Sequence, residues 1–396
     1  MSNLLSQISA VVVMNVRSLP RRFWMSLAAI FAVSVVVAVL LSFLSMANGF
    51  EQTLKGTGSE DVAIVTRSGS RSELNSNMGR DTVNIIATAP GIAKNADGDP
   101  IYSPELYVIV DGIKKTSRTE ANLPMRGITL AGFELRDHVE ITEGRLFTPG
   151  TNEIIVGAGV LREFDGFDLG TQIRFGKTEW EVVGVFSTGG SAFESELWAD
   201  APTIQTQFQR GSSYQTVRIR LETSGNIQGL LDLVEQDARL ELDVETEAAF
   251  FAEQAEALNA TVIGGWVLSI VMALGALAGA LNTMYTSVSS RSVEIATLRA
   301  LGFSNISAFI GTLVESIILS VLGGVLGALI SFAFMDGLSA STIGGNFTQV
   351  VFTFEMSPQL FQNGIGLALL IGVFGGFFPA FQAARLPVIV AFTRGN

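Results

Sequence analysis

A chain of 396 residues with 48% hydrophobic and only 16% charged side chains and a positive mean hydropathy is too apolar for an ordinary soluble protein of its size, so a membrane protein is the first expectation. It has no cysteine, which excludes disulfides, Cys-based metal sites and thiol catalysis, and its single histidine, His138, rules out a His-rich zinc site and is expected to be a surface or packing residue. The net charge of −12 is unevenly spread: outside residues 48–258 the acids are only Glu294, Glu315, Asp336 and Glu355 against Arg17, Arg21, Arg22, Arg291, Arg299, Arg385 and Arg394, so no basic surface is left for a nucleic acid.

Residues 1–22 read as a cytoplasmic N-terminal segment ending in Arg21 and Arg22. Residues 23–46 are uncharged and mostly apolar, and as a helix they reach roughly 36 Å, enough to cross a bilayer. This first span is placed at 23–47. Ser45-Met46-Ala47 weakly resembles a processing site, but the apolar stretch exceeds signal-peptide length, so it is expected to be retained.

Residues 48–258 read as a folded α+β domain, because β-type runs such as Val62-Ala63-Ile64-Val65, 106–110, 153–156 and 180–186 alternate with Gly, Pro and Asp turns. Residues 48–55 look like an extension of the first helix. Residues 245–258, with Phe250, Phe251 and Leu258 on an acidic stretch, look like an amphipathic helix feeding the second span, so the domain is expected on two helical stalks. The Ser-, Asn- and Gly-rich stretch 68–79 is expected to be a mobile loop.

Apolar segments at 262–285, 309–335 and 364–381 give spans placed at 259–287, 305–337 and 361–384. Between them lie a cytoplasmic connection at 288–304 and an extracytoplasmic loop at 338–360, followed by a cytoplasmic tail at 385–396. Arginines cluster before the first span, between the second and third and after the fourth, which puts both termini in the cytoplasm. The predicted fold is an α-helical membrane protein with four transmembrane helices plus an α+β extracytoplasmic domain inserted between helices 1 and 2.

No stretch carries a recognisable catalytic constellation. Residues 170–178 contain Gly176-Lys177-Thr178, but five residues separate Gly170 from Gly176 where a phosphate-binding loop requires four, and the segment lies between two strand-like runs, so it reads as a hairpin turn. No Gly-x-Ser-x-Gly elbow is present, and in so acidic a domain paired carboxylates are too common to single out. No catalytic residue, metal site or cofactor is expected in this chain.

Gly275 and Gly279, Gly323 and Gly327, and Gly372 and Gly376 repeat a small-x-x-x-small spacing in the last three spans, which lets helix backbones approach and predicts either a bundle or a dimer face. Glu315 lies inside the third span. A charge in lipid costs at least ~2.5 kcal/mol, so it must face protein, a water-filled cleft or the headgroup zone. A proton relay would need acidic or histidine partners in neighbouring spans, which the sequence lacks, so a packing or interfacial role is expected. In the connection, Ile295, Leu298 and Leu301 share one helical face, Arg291 and Glu294 are spaced i, i+3, Gly302 suits a helix stop and Ser304 a cap for the next helix. This predicts a short amphipathic helix at the inner membrane surface.

The run Arg-x-x-Glu-Ile-x-x-Leu-Arg-Ala-Leu-Gly at 291–302 resembles the coupling-helix signature of the MacB/FtsX-type ABC transporter permeases. Glu315 with Leu322-Gly323-Gly324-Val325-Leu326-Gly327 is similar to that family's third span, and Pro379-Ala380-Phe381-Gln382-Ala383-Ala384-Arg385 to its closing motif. In the outer domain Glu143-Gly144-Arg145-Leu146-Phe147, Glu153-Ile154-Ile155-Val156-Gly157 and Trp180-Glu181-Val182-Val183-Gly184-Val185 resemble the family's periplasmic core domain. One departure is Leu386-Pro387-Val388-Ile389-Val390-Ala391, which lacks the acids usual after the closing arginine.

The resemblance implies a multi-pass permease subunit of the bacterial cytoplasmic (inner) membrane that pairs with a second copy or paralogue and with separate ABC ATPase subunits holding the ATP and magnesium. The ATPase is expected to contact Arg291, Glu294, Ile295, Leu298, Arg299, Leu301 and Gly302. The chain itself would not be an enzyme. The implied output is export or extraction of a lipid, lipoprotein, peptide or drug, with membrane lipid and a periplasmic adaptor or envelope protein as further partners. The alternative is an FtsX-like regulator that activates cell-envelope hydrolases and transports nothing. The size of the outer domain favours transport.

Overall fold

Four helices are long and apolar enough to cross a membrane, as the sequence predicts: Phe23–Lys55, Ile263–Ser290, Asn305–Met335 and Pro358–Arg385. The computed structural model describes residues 2–70, 72–136, 138–237, 239–256, 259–343 and 349–385. The stretch 386–391, Arg394 and Leu258, all singled out in the sequence, lie outside the described residues. The chain divides into two units, one of Met1–Asn48, Ala260–Asp336 and Glu355–Asn396, the other of Gly49–Asn259 and Gly337–Phe354.

In the helical unit the third long helix packs against both the first and the fourth. Val33, Val36, Val37, Leu40, Leu41 and Leu44 of the first helix form a buried seam with Ala328 of the third and Leu360, Ala368 and Ile371 of the fourth. Small residues carry these crossings, because lipid gives no hydrophobic reward for helix association and close backbone approach must supply the contact energy. The second long helix is different. Only 22% of its most apolar window is buried within the chain, and Ile263, Val267, Ile270, Val271 and Leu274 are exposed.

The segment before the first span is a helix, Ser2–Ser18, followed by a 3-10 turn at Leu19–Arg22 with Pro20 near its start. Gln7, Val11 and Asn15 recur every four residues and so share one face. That face lies on the third helix: Gln7 accepts from the Ser304 N–H at 3.1 Å and the Ser307 hydroxyl at 3.3 Å, and a Cβ added at Gly311 would sit 2.4 Å from Val11 Cγ1.

The other unit is built on an eleven-stranded sheet whose main path runs Leu242–Thr246, Val62–Arg67, Thr216–Arg220, Tyr102–Lys114, Glu120–Ile128, Leu197–Asp200, Glu153–Gly157, Thr178–Ser187 and Glu140–Gly144. Pairing is mostly antiparallel, with parallel contacts where Leu197–Asp200 meets Glu120–Ile128 and where Glu153–Gly157 meets Thr178–Ser187. Two apolar clusters lie on it. One gathers Leu106, Val108, Met125, Ile154, Trp180 and Leu197, the other Ala63, Val65, Ile86, Val217, Ile219 and Leu230.

Where the sequence suggests a loop at 338–360, the structure has a β-hairpin, Ser339–Ile343 with Gln349–Thr353, which belongs to the sheet-rich unit. Val351 joins the first apolar cluster, and its N–H donates to Ser195 Oγ at 2.8 Å. The run Val350-Val351-Phe352-Thr353-Phe354 is β-branched and aromatic, which suits a pleated, buried strand better than a solvated loop.

The stretch 68–79 is anchored instead of free: it holds a 3-10 turn, Glu73–Asn75, whose Glu73 is buried and ion-paired. Arg71 within it lies outside the described residues. Residues 170–178 are a hairpin, with Phe175 paired to Thr178 and Gly176 at φ +61° in the turn. Glu247–Glu256 is a helix that buries Phe250 and Phe251, and the first long helix continues to Lys55.

Candidate functional site

The connection between the second and third long helices folds into the helix Ser292–Ala300. Gly302 ends it at φ +95°, a left-handed conformation that side chains disfavour, and donates its N–H to Arg299 O at 3.0 Å. Ser304 caps the next helix by accepting from the Ser307 N–H at 3.1 Å. Ile295 packs with Val288, Ala383 and Ala308, and Ala296 is buried beside it.

Of the residues that the sequence places at a partner contact, Glu294, Leu301 and Gly302 are exposed, Leu298 and Arg299 are half-buried, and Arg291 and Ile295 are buried against the chain itself. The exposed stripe is Val293, Glu294, Thr297, Ala300 and Leu301, spaced i, i+1, i+4, i+7 and i+8, with Leu301 73% exposed. Val293, Thr297 and Ala300 are exposed beside Glu294 and Leu301, although the sequence does not single them out. Of the apolar face, Ile295 closes a small core, Leu298 is half-buried and Leu301 is exposed.

Glu315 stands under this helix, about ten residues or ~15 Å into the third long helix, and is 3% exposed. The rest of that helix, 316–335, spans ~30 Å, the thickness of a hydrocarbon core, so Glu315 falls at one edge of the spanning stretch. It is held by two arginines from different elements. Arg22 Nη2 lies 3.1 Å from Oε1 and Arg291 Nη1 3.2 Å from Oε2. Arg291 also donates to Asn15 Oδ1 at 2.7 Å and to Glu294 Oε2 at 3.1 Å, and Arg22 donates to Ser18 Oγ at 3.0 Å and to Ser287 Oγ. The packing role expected of Glu315 is therefore an ionic one. Its partners, Arg22 and Arg291, are basic and lie outside the apolar spans.

The six small-residue positions separate into two groups. A Cβ at Gly323 would come 2.7 Å from Ile30 O and one at Gly327 2.4 Å from Ser34 O, both on the first long helix. At Gly372 it would meet Ile317 Cα at 3.0 Å and at Gly376 Ser316 Cβ at 2.6 Å, both on the third. At Gly275 and Gly279 an added Cβ meets nothing within 4 Å.

The sheet-rich unit hides a second cluster that sequence reasoning passed over. Residues of Tyr102–Lys114 alternate, with Leu106 and Val108 facing the apolar cluster and Glu105 and Tyr107 the opposite side. There Glu105 meets Arg126 at 3.0 Å, Arg136 at 2.9 Å and Arg218. Arg126 also pairs with Glu196 at 2.6 Å and Glu73 at 2.7 Å, and Arg218 with Glu73 and Glu247. Phe193 closes the cluster, with the Arg136 guanidinium 4.7 Å above its ring. Burial works against the Glu105 carboxylate, but Arg136, Arg218 and Arg126 outweigh it and hold the group at about 2. A cavity of about 210 Å³ adjoins the cluster, lined among others by Arg136, exposed His138, Ser191 and Glu247.

Comparison with known proteins identifies two family models. The MacB-like periplasmic core domain matches residues 26–236 and the FtsX-like permease C-terminal domain matches residues 266–388. The macrolide export ATP-binding/permease protein MacB of Bradyrhizobium diazoefficiens is 25% identical over 368 residues, covering 81% of this chain and 53% of that protein. The uncharacterized ABC transporter permease YvrN of Bacillus subtilis is 25% identical over 406 residues, covering 92% of this chain and 95% of that one. The chain thus spans about half the length of that MacB relative. Among solved structures, the periplasmic region of MacB from Actinobacillus actinomycetemcomitans matches with a TM-score of 0.37 at 15% identity, covering 50% of this chain and 94% of that one.

Proposed function

We propose a function from a fixed premise: this chain belongs to the MacB/FtsX family of ABC transporter permeases, and it is a multi-pass membrane protein. On our reading it sits in the cytoplasmic membrane with both termini inside. It passes motion from a partner ABC ATPase, which binds the ATP and magnesium, to its sheet-rich domain outside. The output we favour is export or extraction of a lipid, lipoprotein, peptide or drug. A second copy or a paralogue completes the permease, and the open Gly275 and Gly279 face of the poorly covered second helix is a suitable surface for it.

The observation that carries this reading is the two-sidedness of Ser292–Ala300. One side is fixed to the chain by Arg291, Ile295 and Ala296, and the other offers Val293, Glu294, Thr297, Ala300 and Leu301 outward. A lever driven by a partner needs both an anchored side and a free one. The free side asks for a partner groove that is apolar where Val293 and Leu301 enter and basic beside Glu294.

The test is affinity co-purification of the tagged chain from native membranes, comparing wild type with Glu294→Lys combined with Leu301→Asp. An ABC ATPase recovered with wild type and lost from the variant supports the reading. Absence of any ATPase from an intact wild-type preparation overturns it. A co-purifying cell-wall hydrolase, in place of an adaptor or cargo, moves the output to the regulatory branch.

A further inference from the structure

The Glu315 cluster joins elements that a moving lever must carry with it. Asn15 and Ser18 come from the N-terminal helix, Arg22 from the turn that opens the first long helix, Ser287 from the end of the second, Arg291 and Glu294 from the connection, and Glu315 from the third. A single carboxylate with one oxygen on each arginine is the only direct bridge among these bonds between Arg22 and Arg291. The two guanidiniums leave the carboxylate buried but compensated, and loss of its charge leaves two neighbouring guanidiniums with nothing to join them.

We propose that Glu315 is a positioning residue: by holding Arg22 and Arg291 at once it fastens Ser292–Ala300 to the N-terminal helix and the first long helix, so that a displacement of the connection is delivered to the first and third helices together. The inference rests on the coupling role argued above for Ser292–Ala300. It adds that the N-terminal helix is part of the moving body, and that the joint is ionic instead of steric. Gly311 against Val11 and Gln7 beneath Ser304 and Ser307 extend the same contact along the N-terminal helix, but none of them links to the connection's arginine.

The chain has no native cysteine, so pairs can be introduced for spin labels without a background. Ser289→Cys at the start of the connection, off the outward stripe, and Phe31→Cys on the first long helix are both exposed. In the full chain reconstituted in lipid nanodiscs, the label-to-label distance should be a single narrow distribution. Glu315→Gln, which keeps the shape but loses the charge, should lose that narrow peak, and Glu315→Asp should largely restore it. Asn15→Ala removes an acceptor of Arg291 without stranding a charge, and gives a smaller broadening should Glu315→Gln fold poorly. A Glu315→Gln distribution as narrow as wild type overturns the proposal, because a steric joint needs no charge.

With the partner ATPase and ATP present, the wild-type distance should stay fixed and the Glu315→Gln distance should shift while hydrolysis continues. A shift of equal size in wild type overturns the joint. A wild-type chain that recruits no ATPase removes the coupling role, while the nanodisc comparison still decides whether the ionic joint exists.

Discussion

Arg218 and Glu73, 145 residues apart in sequence, are joined at 2.6 Å in the interior of the sheet-rich unit. The pair ties the 3-10 turn at Glu73–Asn75 to the strand Thr216–Arg220, and the same guanidinium also reaches Glu105 and Glu247. Removing one member of such a cluster strands the opposite charges in a place that water does not reach. Arg218→Ala is expected to destabilise this unit by about 3–5 kcal/mol. Urea unfolding of the full chain in detergent, followed through the buried Trp180 and Trp198, measures it. An unchanged midpoint would show that the cluster contributes nothing.

The same cluster sets an acid limit. Glu105 titrates at about 2 in the folded protein against an ordinary value of 4.5, so its contribution to stability is complete above about 4.5 and is lost as pH falls toward 2. Glu73 is lowered as well, with burial opposing and Arg126 and Arg218 prevailing, and it acts in the same direction. Thermal unfolding of the full chain should therefore be nearly flat with respect to these groups above pH 5 and fall steeply below 4.5. Arg136→Met, which removes the largest favourable charge beside Glu105, should make that fall shallower: it still begins near 4.5 but ends at a higher pH, because the folded-state value of Glu105 rises toward the ordinary one.

Glycines of identical spacing should respond differently. Gly327→Ala drives a methyl toward Ser34 O and Gly376→Ala toward Ser316 Cβ, and each is expected to lower stability by about 1–3 kcal/mol. Gly279→Ala enters open space and should leave the unfolding temperature of the single chain unchanged. Gly279→Leu, read by light scattering in detergent, asks whether a second copy uses that face; a dimer that persists unaltered would place the pairing elsewhere.

Ile295→Asp and Leu301→Asp separate fold from contact on one short helix. The first buries a charge beside Val288 and Ala383 and is expected to cost ~3 kcal/mol or more. The second, on the exposed side, should leave thermal stability within ~0.5 kcal/mol of wild type while weakening recovery of the partner. Equal destabilisation by both would mean that Leu301 is not free.

Much of the architecture was legible because its signals are local. Four long apolar runs, the Gly302 stop and the Ser304 cap depend on residues close in sequence, and the structure has four long apolar helices. The N-terminal helix was missed although Gln7, Val11, Asn15, Ser18 and Arg22 recur at helical spacing, because its polar stripe has meaning only against the third helix that it binds. The burial of Ile295 is not legible for a similar reason: amphipathicity reports that one side of Ser292–Ala300 is apolar, not whether that side meets lipid, a partner or the chain's own Val288. The cluster around Glu105 was invisible because its seven charged members come from separate segments, each unremarkable in an acidic domain.

The paired strands Ser339–Ile343 and Gln349–Thr353 change how this protein can be taken apart or recombined. The stretch from Gly49 to Asn259 looks like a self-contained cassette, yet the strand Gln349–Thr353 supplies Val351 to its core and Phe352 to the ring of Phe50 at 5.6 Å. Excised alone, that stretch would open a slot where Val351 belongs and leave Ser195 without its main-chain donor. A graft of this domain onto another permease therefore has to move two pieces of sequence from two different places.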